Sequence, residues 1–292
     1  MTALRPGRHV VVVLQGGIGN QLFQLCAGAA IQKRTGYPVF YDCDLGFRND
    51  PSGRQFELAH LIPSEQRADP IPPGRMWRNP LLERLAVTVE HGLMFRRGKS
   101  SLPLPLTEGL VRWWPTSEVV CRSCFQLLDY VDSETVERIR DAMNVRTGAA
   151  STEVAVHFRL SRELNRHGET MREHAGTVLG MDFYRKALRR VRAEIEGAYF
   201  RVFSDSGLIP ENVFQPEDIV LLDHPLQGEP PSHTLGRMAR CGHLVIANST
   251  FSWWAAYLAS GEGKRVYAPQ DWRFNNRAPA QQGIFPGSWH RI

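Results

Sequence analysis

Short apolar runs alternate with amphipathic helical patterns near the start of the chain. The pattern predicts a strand at Val10–Leu14, a helix over Asn20–Arg34 and a strand at Pro38–Tyr41. Gly36 follows the last helical turn, where glycine is common because it accepts a left-handed conformation. This strand–helix–strand order predicts two parallel strands joined by a helix.

The same alternation returns after residue 151 and continues almost to the end of the chain. Strands are predicted in EVAVHF, AYFRVFSD, DIVLLD, HLVIAN and KRVYAP, and helices in MDFYRKALRRVRAEIEG and STFSWWAAYLAS. One further helix is predicted from about Ser133 to Met143. Strands that alternate with helices indicate a parallel sheet covered on both faces. We therefore expect an α/β protein of two Rossmann-like domains, residues 1–148 and 149–292, with a cleft between them.

Residues 44–120 lack either pattern and contain many prolines. This composition predicts long surface loops with short helices. Because loops carry binding residues more often than cores do, we expect this segment to contribute to binding.

The composition is that of a globular protein, with 42% hydrophobic and 22% charged residues in a chain of 292. No apolar run approaches the roughly 20 residues of a membrane helix, and no signal peptide is evident. The net charge of +5 fits a slightly basic surface or an anionic ligand such as a nucleoside diphosphate. Nucleic acid is a poor fit because the arginines are dispersed and no binding module is present.

Five cysteines give no even disulfide framework, and Cys121–Cys124 is a lone C-x-x-C pair without a second pair at zinc spacing. Reduced thiols and a cytoplasmic location are expected.

The turn after the first strand, Gly16–Gln21, begins like a dinucleotide fingerprint. Its third glycine is missing, because Leu22 occupies that position. A nicotinamide oxidoreductase is therefore disfavoured.

Polar residues follow three predicted strands of the second domain, at the edge where parallel sheets bind ligands. His157 and Arg159 end the first strand, and Asp205 ends the next. A helix start follows a third strand and offers free N–H groups to an anion. The residues expected at that start are Asn248, Ser249, Thr250 and Phe251. Each feature alone also fits a salt bridge or a helix cap, whereas together they suit a nucleoside diphosphate held without metal.

Two tryptophans, Trp253 and Trp254, follow this helix start. We expect them to pack in the core rather than to form a platform for a sugar.

Several stretches, in this order along residues 10–272, resemble glycosyltransferase family 11, the α-1,2-fucosyltransferases. They are GGIGNQLFQLCAGAAIQKRTGYPVFYD, RQFELAHL, CFQLLDYV, VAVHFR, MDFYRKAL, FSDS, NSTFSWWAAYLA and VYAPQDW. The first is also similar to the turn of protein O-fucosyltransferases, which share the GT-B fold. The resemblance implies a GT-B protein that transfers a sugar, with L-fucose expected, from a GDP-sugar to an acceptor hydroxyl, with inversion and without a metal or another cofactor.

The resemblance also assigns residues. Those expected to act in catalysis are Arg159, Asn20, His157 and Glu163. Those expected to bind the nucleotide sugar are Gly17, Gly19, Asn20, His157, Arg159, Asp205, Asn248, Ser249, Thr250 and Phe251. Asn20 is expected close to the β-phosphate. Asp42 and Asp44 are expected on the acceptor side or in loop capping, and together with Glu163 they are the candidates for a general base.

The sequence departs from the family at its His-x-Arg-Arg-x-Asp motif. Leu160 stands at the second arginine and Arg162 at the acid, with Glu163 one residue later. Two alternatives follow: a transferase that uses another GDP-sugar, and a non-catalytic protein that binds sugar nucleotides or glycans. The acceptor is a glycan, a lipid-linked sugar or a small molecule, and membrane contact is expected to be peripheral at most.

Overall fold

The computed structural model describes most of the chain. The described residues are 9–48, 50, 52–70, 110–113, 118–145, 151–159, 179–205, 207, 209–272 and 283–292.

Ten strands and five α-helices make up the described fold. The strands are β1 (His9–Gln15), β2 (Val39–Gly46), β3 (Leu110–Trp113), β4 (Glu118–Arg122), β5 (Glu153–Phe158), β6 (Tyr199–Ser204), β7 (Val220–Leu222), β8 (His243–Val245), β9 (Val266–Ala268) and β10 (His290–Arg291). The helices are α1 (Ile18–Thr35), α2 (Ser133–Ala142), α3 (Met181–Glu194), α4 (Pro231–Ala239) and α5 (Thr250–Leu258). Two single 3₁₀ turns, Ser64–Gln66 and Leu128–Tyr130, lie in the first half.

The chain divides into two compact units, Met1–Glu137 and Arg138–Ile292, so that α2 spans the division. The sheet of the first unit has the order β2-β1-β4-β3. β1 pairs in parallel with β2 and with β4, and β3 pairs antiparallel with β4. Helix α1 connects β1 to β2, and most of its residues are buried, including Leu22 and Phe23.

The sheet of the second unit has six strands in the order β10-β9-β8-β5-β6-β7, all parallel. Val154, Val156 and Phe158 lie on one face of β5 and pack with α3 through Tyr184 and Leu188. The expected α/β class with parallel sheets is thereby confirmed. The strand order reverses beside β5, so the carboxyl ends of β5 and its neighbours form the edge where such sheets bind ligands.

The prediction that residues 44–120 form only loops and short helices is wrong for their described part, which also contains strands. Their described part contains β3 and most of β4 as well as the 3₁₀ turn at Ser64–Gln66. Helix α4 was not predicted, and neither was the short strand β10. None of the helices in the described ranges is long and apolar enough to cross a membrane.

Candidate functional site

Arg159 follows β5 directly, at the carboxyl edge of the second sheet. Its Nη1 donates a hydrogen bond of 3.3 Å to Oγ of Ser249, the residue that precedes α5. The register of the parallel β5–β8 pair brings these two strand ends together. A fixed guanidinium therefore lies at the N-terminus of a helix, and both features attract an anion.

His157 is the penultimate residue of β5 and is only 7% exposed. Burial lowers the pKa of His157 to about 4, Asp205 acts in the opposite direction, and Arg159 lowers the pKa further. The imidazole is therefore neutral at physiological pH. Its ring lies 5.8 Å from that of Phe251, and its buried Nδ1 has no hydrogen-bond partner among the described residues.

Asp205 follows β6, and its side chain is exposed to solvent. Its backbone N–H donates to the carbonyl oxygen of Phe158 over 3.4 Å, which fixes it beside the end of β5. A second acid, Asp223, follows β7 and accepts two hydrogen bonds, of 3.0 and 2.8 Å, from Arg237. The exposed Asp205 is thus the better placed of the two to meet a ligand.

The start of α5 is formed by Asn248, Ser249 and Thr250. Asn248 and Ser249 are buried, whereas Thr250 is partly exposed. The first turn contains no acidic residue, and within the described part of the chain the side chain of Ser249 makes no capping hydrogen bond to the helix. The hydroxyl of Ser249 instead receives the hydrogen bond from Arg159.

The opposite end of α5 is held by two cations. Arg140 donates from Nε to the carbonyl oxygen of Leu258 (3.0 Å) and from Nη2 to that of Tyr257 (3.2 Å). Lys264 donates to the carbonyl oxygen of Ala256 over 3.1 Å. Positive groups at a helix C-terminus complement its dipole, so this end of α5 is stably anchored.

Trp253 and Trp254 in α5 are fully buried. Trp253 stacks on Tyr257 and donates from Nε1 to the carbonyl oxygen of Ile284. Their expected role in the core is confirmed.

In the first unit, the glycine turn joins β1 to α1. Gly16 has a φ of +76°, and a Cβ at this position would lie 2.7 Å from Nδ2 of Asn20. Gly17 caps α1, and Gly19 and Asn20 lie in its first turn. Two independent features, the left-handed backbone and the close approach of Asn20, therefore require glycine at residue 16.

The turn is held by the buried side chain of Gln21. Its Nε2 donates 2.9 Å hydrogen bonds to the carbonyl oxygens of Gly16 and Gln55, and its Oε1 accepts from the N–H of Glu57 at 2.9 Å. Asn20 is held separately, because Nε2 of Gln126 donates to its Oδ1 over 3.2 Å. The turn is thus fixed by side-chain amides.

Asp42 and Asp44 make local contacts in the first unit. Asp42 is fully buried, and its Oδ1 accepts hydrogen bonds from the N–H groups of Asp44 (3.0 Å) and Leu45 (2.7 Å). Asp44 forms an ion pair with Arg48. These contacts give Asp42 a loop-capping role, while the acceptor-side role of both acids stays a prediction.

Those predicted residues of the second unit that the structure describes lie at one edge of its sheet, around Arg159 and the start of α5. Glu163 and the altered motif positions Leu160 and Arg162 lie outside the described residues. No group of three or more histidine, cysteine or acidic side chains in the described ranges could hold a metal ion. All five cysteines are free thiols, as expected.

Sequence reasoning missed the part played by Gln126. This residue lies in CFQLLDYV, a stretch that contributed only to the family resemblance, and it is 6% exposed. A polar amide between Phe125 and Leu127 was the available signal, because buried polar side chains are nearly always hydrogen-bonded.

A family model, curated proteins and solved structures are similar to this chain. Residues 118–292 match the family model described as Glycosyl transferase family 11. Over 100 residues the chain is 35% identical to "O-antigen biosynthesis glycosyltransferase WbnK" of Escherichia coli, covering 34% of this chain and 33% of that protein. Over 140 residues it is 30% identical to "Galactoside 2-alpha-L-fucosyltransferase Sec1" of Mus musculus, covering 47% and 37%. The chain thus spans about a third of the length of the curated relatives it matches.

Among solved structures, the chain is similar to NodZ alpha-1,6-fucosyltransferase soaked with GDP-fucose. The sequence identity is 17%, the match covers 87% of this chain and 93% of that chain, and the TM-score is 0.47.

Proposed function

The chain belongs to glycosyl transferase family 11, and on this basis we propose that it is a glycosyltransferase. It moves a sugar, with L-fucose expected, from a GDP-sugar to an acceptor hydroxyl. The reaction inverts the anomeric carbon and needs no metal ion. The proposal includes the GT-B fold.

The observation that carries the proposal is the pairing of Arg159 with the start of α5. A nucleoside diphosphate needs donors and positive charge, and this edge of the sheet offers a guanidinium together with helix N–H groups. The neutral His157 beside them adds no charge but provides a polar nitrogen in a buried position. Asp205 is the candidate for guanine, whose paired N–H donors match one carboxylate.

The same groups suit the chemical step. The acceptor oxygen forms a bond to the anomeric carbon, while the bond from that carbon to the β-phosphate oxygen breaks and its electron pair leaves with GDP. Negative charge therefore grows on the leaving oxygen as the bond breaks. Arg159 stabilises this charge most strongly in the transition state, and the start of α5 and Asn20 add donors.

The acceptor proton needs a base. Asp42 already accepts two backbone hydrogen bonds and Asp44 already pairs with Arg48. Glu163 is the third candidate for this base.

The acceptor is proposed to be a glycan, a lipid-linked sugar or a small molecule. A cytoplasmic location is also proposed, for which the five free thiols are the support.

Isothermal titration with GDP, UDP and NAD tests the nucleotide part of the proposal. We expect tight binding of GDP only, whereas binding of NAD in its place would contradict the proposal. NMR analysis of the product sugar tests inversion, and retention of the donor's anomeric configuration would contradict that part.

A further inference from the structure

The segment after β4 carries an unusual backbone conformation. Phe125 has a φ of +48°, which is uncommon for a residue other than glycine. Its side chain is buried and packs edge-on against Tyr130, with 5.3 Å between the ring centroids. The next residue, Gln126, is thereby held in a fixed position. Such backbone outliers persist only where the surrounding structure enforces them, and they cluster at functional sites.

Gln126 is the donor in a hydrogen bond to Asn20. Its Nε2 donates to Oδ1 of Asn20 over 3.2 Å. The nitrogen of the same amide, Nδ2 of Asn20, lies next to Gly16, where a Cβ would be only 2.7 Å away from it. Because the amide is planar, engaging its oxygen also fixes the direction of its N–H₂ group.

The direction of the Asn20 amide determines how this side chain meets an anionic ligand. The N–H₂ end of an asparagine attracts a phosphate oxygen, whereas its carbonyl oxygen repels it. An asparagine that rotated freely would present both ends.

We propose that Gln126 is a positioning residue for the donor site. It occupies the oxygen of Asn20, so that the N–H₂ end is the one presented to the diphosphate. The inference rests on the proposed function, because it takes Asn20 as a donor to the diphosphate. Gln126 itself does not touch the nucleotide sugar.

A double-mutant cycle tests this inference, with the dissociation constant of GDP and kcat/KM for GDP-fucose as the two measurements. Asn20→Ala removes the positioned group, and Gln126→Met removes the donor at nearly constant size. We expect Gln126→Met alone to raise the dissociation constant of GDP and to lower kcat/KM by about tenfold each, the scale of one hydrogen bond. In the Asn20→Ala background the same substitution should change them less than about twofold, because the group it positions is gone.

Gln24→Met is the matched control. Gln24 is also buried and also braces this segment, because its Nε2 donates to the carbonyl oxygen of Ser123 over 3.0 Å. Its effect should multiply with that of Asn20→Ala, as expected for structural support that does not act through Asn20. If Gln126→Met does not fold, Gln126→Asn takes its place in the cycle, since it stays polar but is one methylene shorter.

The outcomes separate the inference from the proposed function. Absence of GDP binding and of donor turnover in the wild type would overturn both. If GDP binds but the effects of Gln126→Met and Asn20→Ala multiply, the positioning role is wrong and the proposed function stands. If Asn20→Ala changes neither quantity, Gln126 has no group to position, and the inference is overturned while the role of Arg159 remains.

Discussion

Arg159 and Ser249 lie 90 positions apart in the chain, and one hydrogen bond of 3.3 Å joins their side chains. The bond links the end of β5 to the start of α5. It places a permanent positive charge where the helix offers its unpaired N–H groups. The proposed donor site is built on this link.

Arg159→Lys tests the role of this guanidinium in the transition state. Lysine keeps the charge but loses the planar pair of donors, so we expect kcat to fall by roughly a hundredfold or more, with a smaller change in GDP affinity. Turnover, GDP affinity and melting temperature are measured on the same preparation.

Arg185→Lys is the control for this substitution, because Arg185 lies exposed on α3 and pairs with Asp182. It should retain the activity of the wild type. Unchanged turnover per folded molecule in Arg159→Lys would remove Arg159 from the mechanism.

Asp205→Asn tests how the nucleotide is selected. A carboxylate can accept both N1–H and N2–H of guanine, and its replacement by an amide should weaken GDP binding by about tenfold. UDP binding should not change. Asp182→Asn, at an exposed acid in the same unit, is the control. Equal affinity of the wild type for UDP and GDP would show that Asp205 does not recognise guanine.

The sequence predicted the first strand–helix–strand unit and the strands that carry Arg159 and Asp205, because buried strands and amphipathic helices have clear periodic patterns. Helix α1 begins two residues earlier than predicted, at Ile18 rather than Asn20. Its start is set by the conformation of Gly16 and Gly17 and lacks a polar capping side chain. Because no capping side chain marks this start, the predicted boundary is two residues too late.

Other elements depend on contacts that a local pattern cannot predict. β4 is defined by pairing with β1, more than 100 residues away. Helix α4 contains Gly236, where a Cβ would lie 3.1 Å from the carbonyl oxygen of Met143. Packing of Leu235 and Met238, both fully buried, offsets its weak helical propensity. The contact of Gln126 with Asn20 was missed for the same reason.

Gly16→Ala tests the geometry of the turn. A left-handed backbone costs a residue with a Cβ about 1–2 kcal/mol, and the new Cβ would also displace the side chain of Asn20. We expect the free energy of unfolding to fall by at least this amount, measured by denaturant titration. Gly17→Ala is the matched control, because Gly17 has a φ of −72° and a methyl group there would meet no atom of the described residues within 4 Å. Equal stability of the two variants would contradict the account of this turn.

The buried His157 predicts a dependence of stability on pH. The pKa of His157 is about 4 in the folded protein, against 6.5 for an ordinary histidine side chain. Between pH 4 and pH 6.5 the unfolded chain therefore binds more protons than the folded protein. The neutral His157 therefore contributes to the free energy of unfolding on the order of 3 kcal/mol above pH 6.5, and this contribution is lost as the pH falls to 4. Comparing the free energy of unfolding of the wild type and His157→Gln across this range isolates the effect. A constant difference between the two proteins would contradict the assigned pKa.

The most direct test of the proposed function is the release of GDP from GDP-fucose by the full chain in the presence of excess EDTA. GDP-mannose and a UDP-sugar are assayed in parallel, with Arg159→Lys as the site variant. We predict that the wild type consumes GDP-fucose fastest, that the UDP-sugar is not consumed, and that Arg159→Lys is slower by roughly a hundredfold. Activity that appears only after Mn²⁺ is added, or consumption of the UDP-sugar in place of the GDP-sugars, would contradict the proposed site.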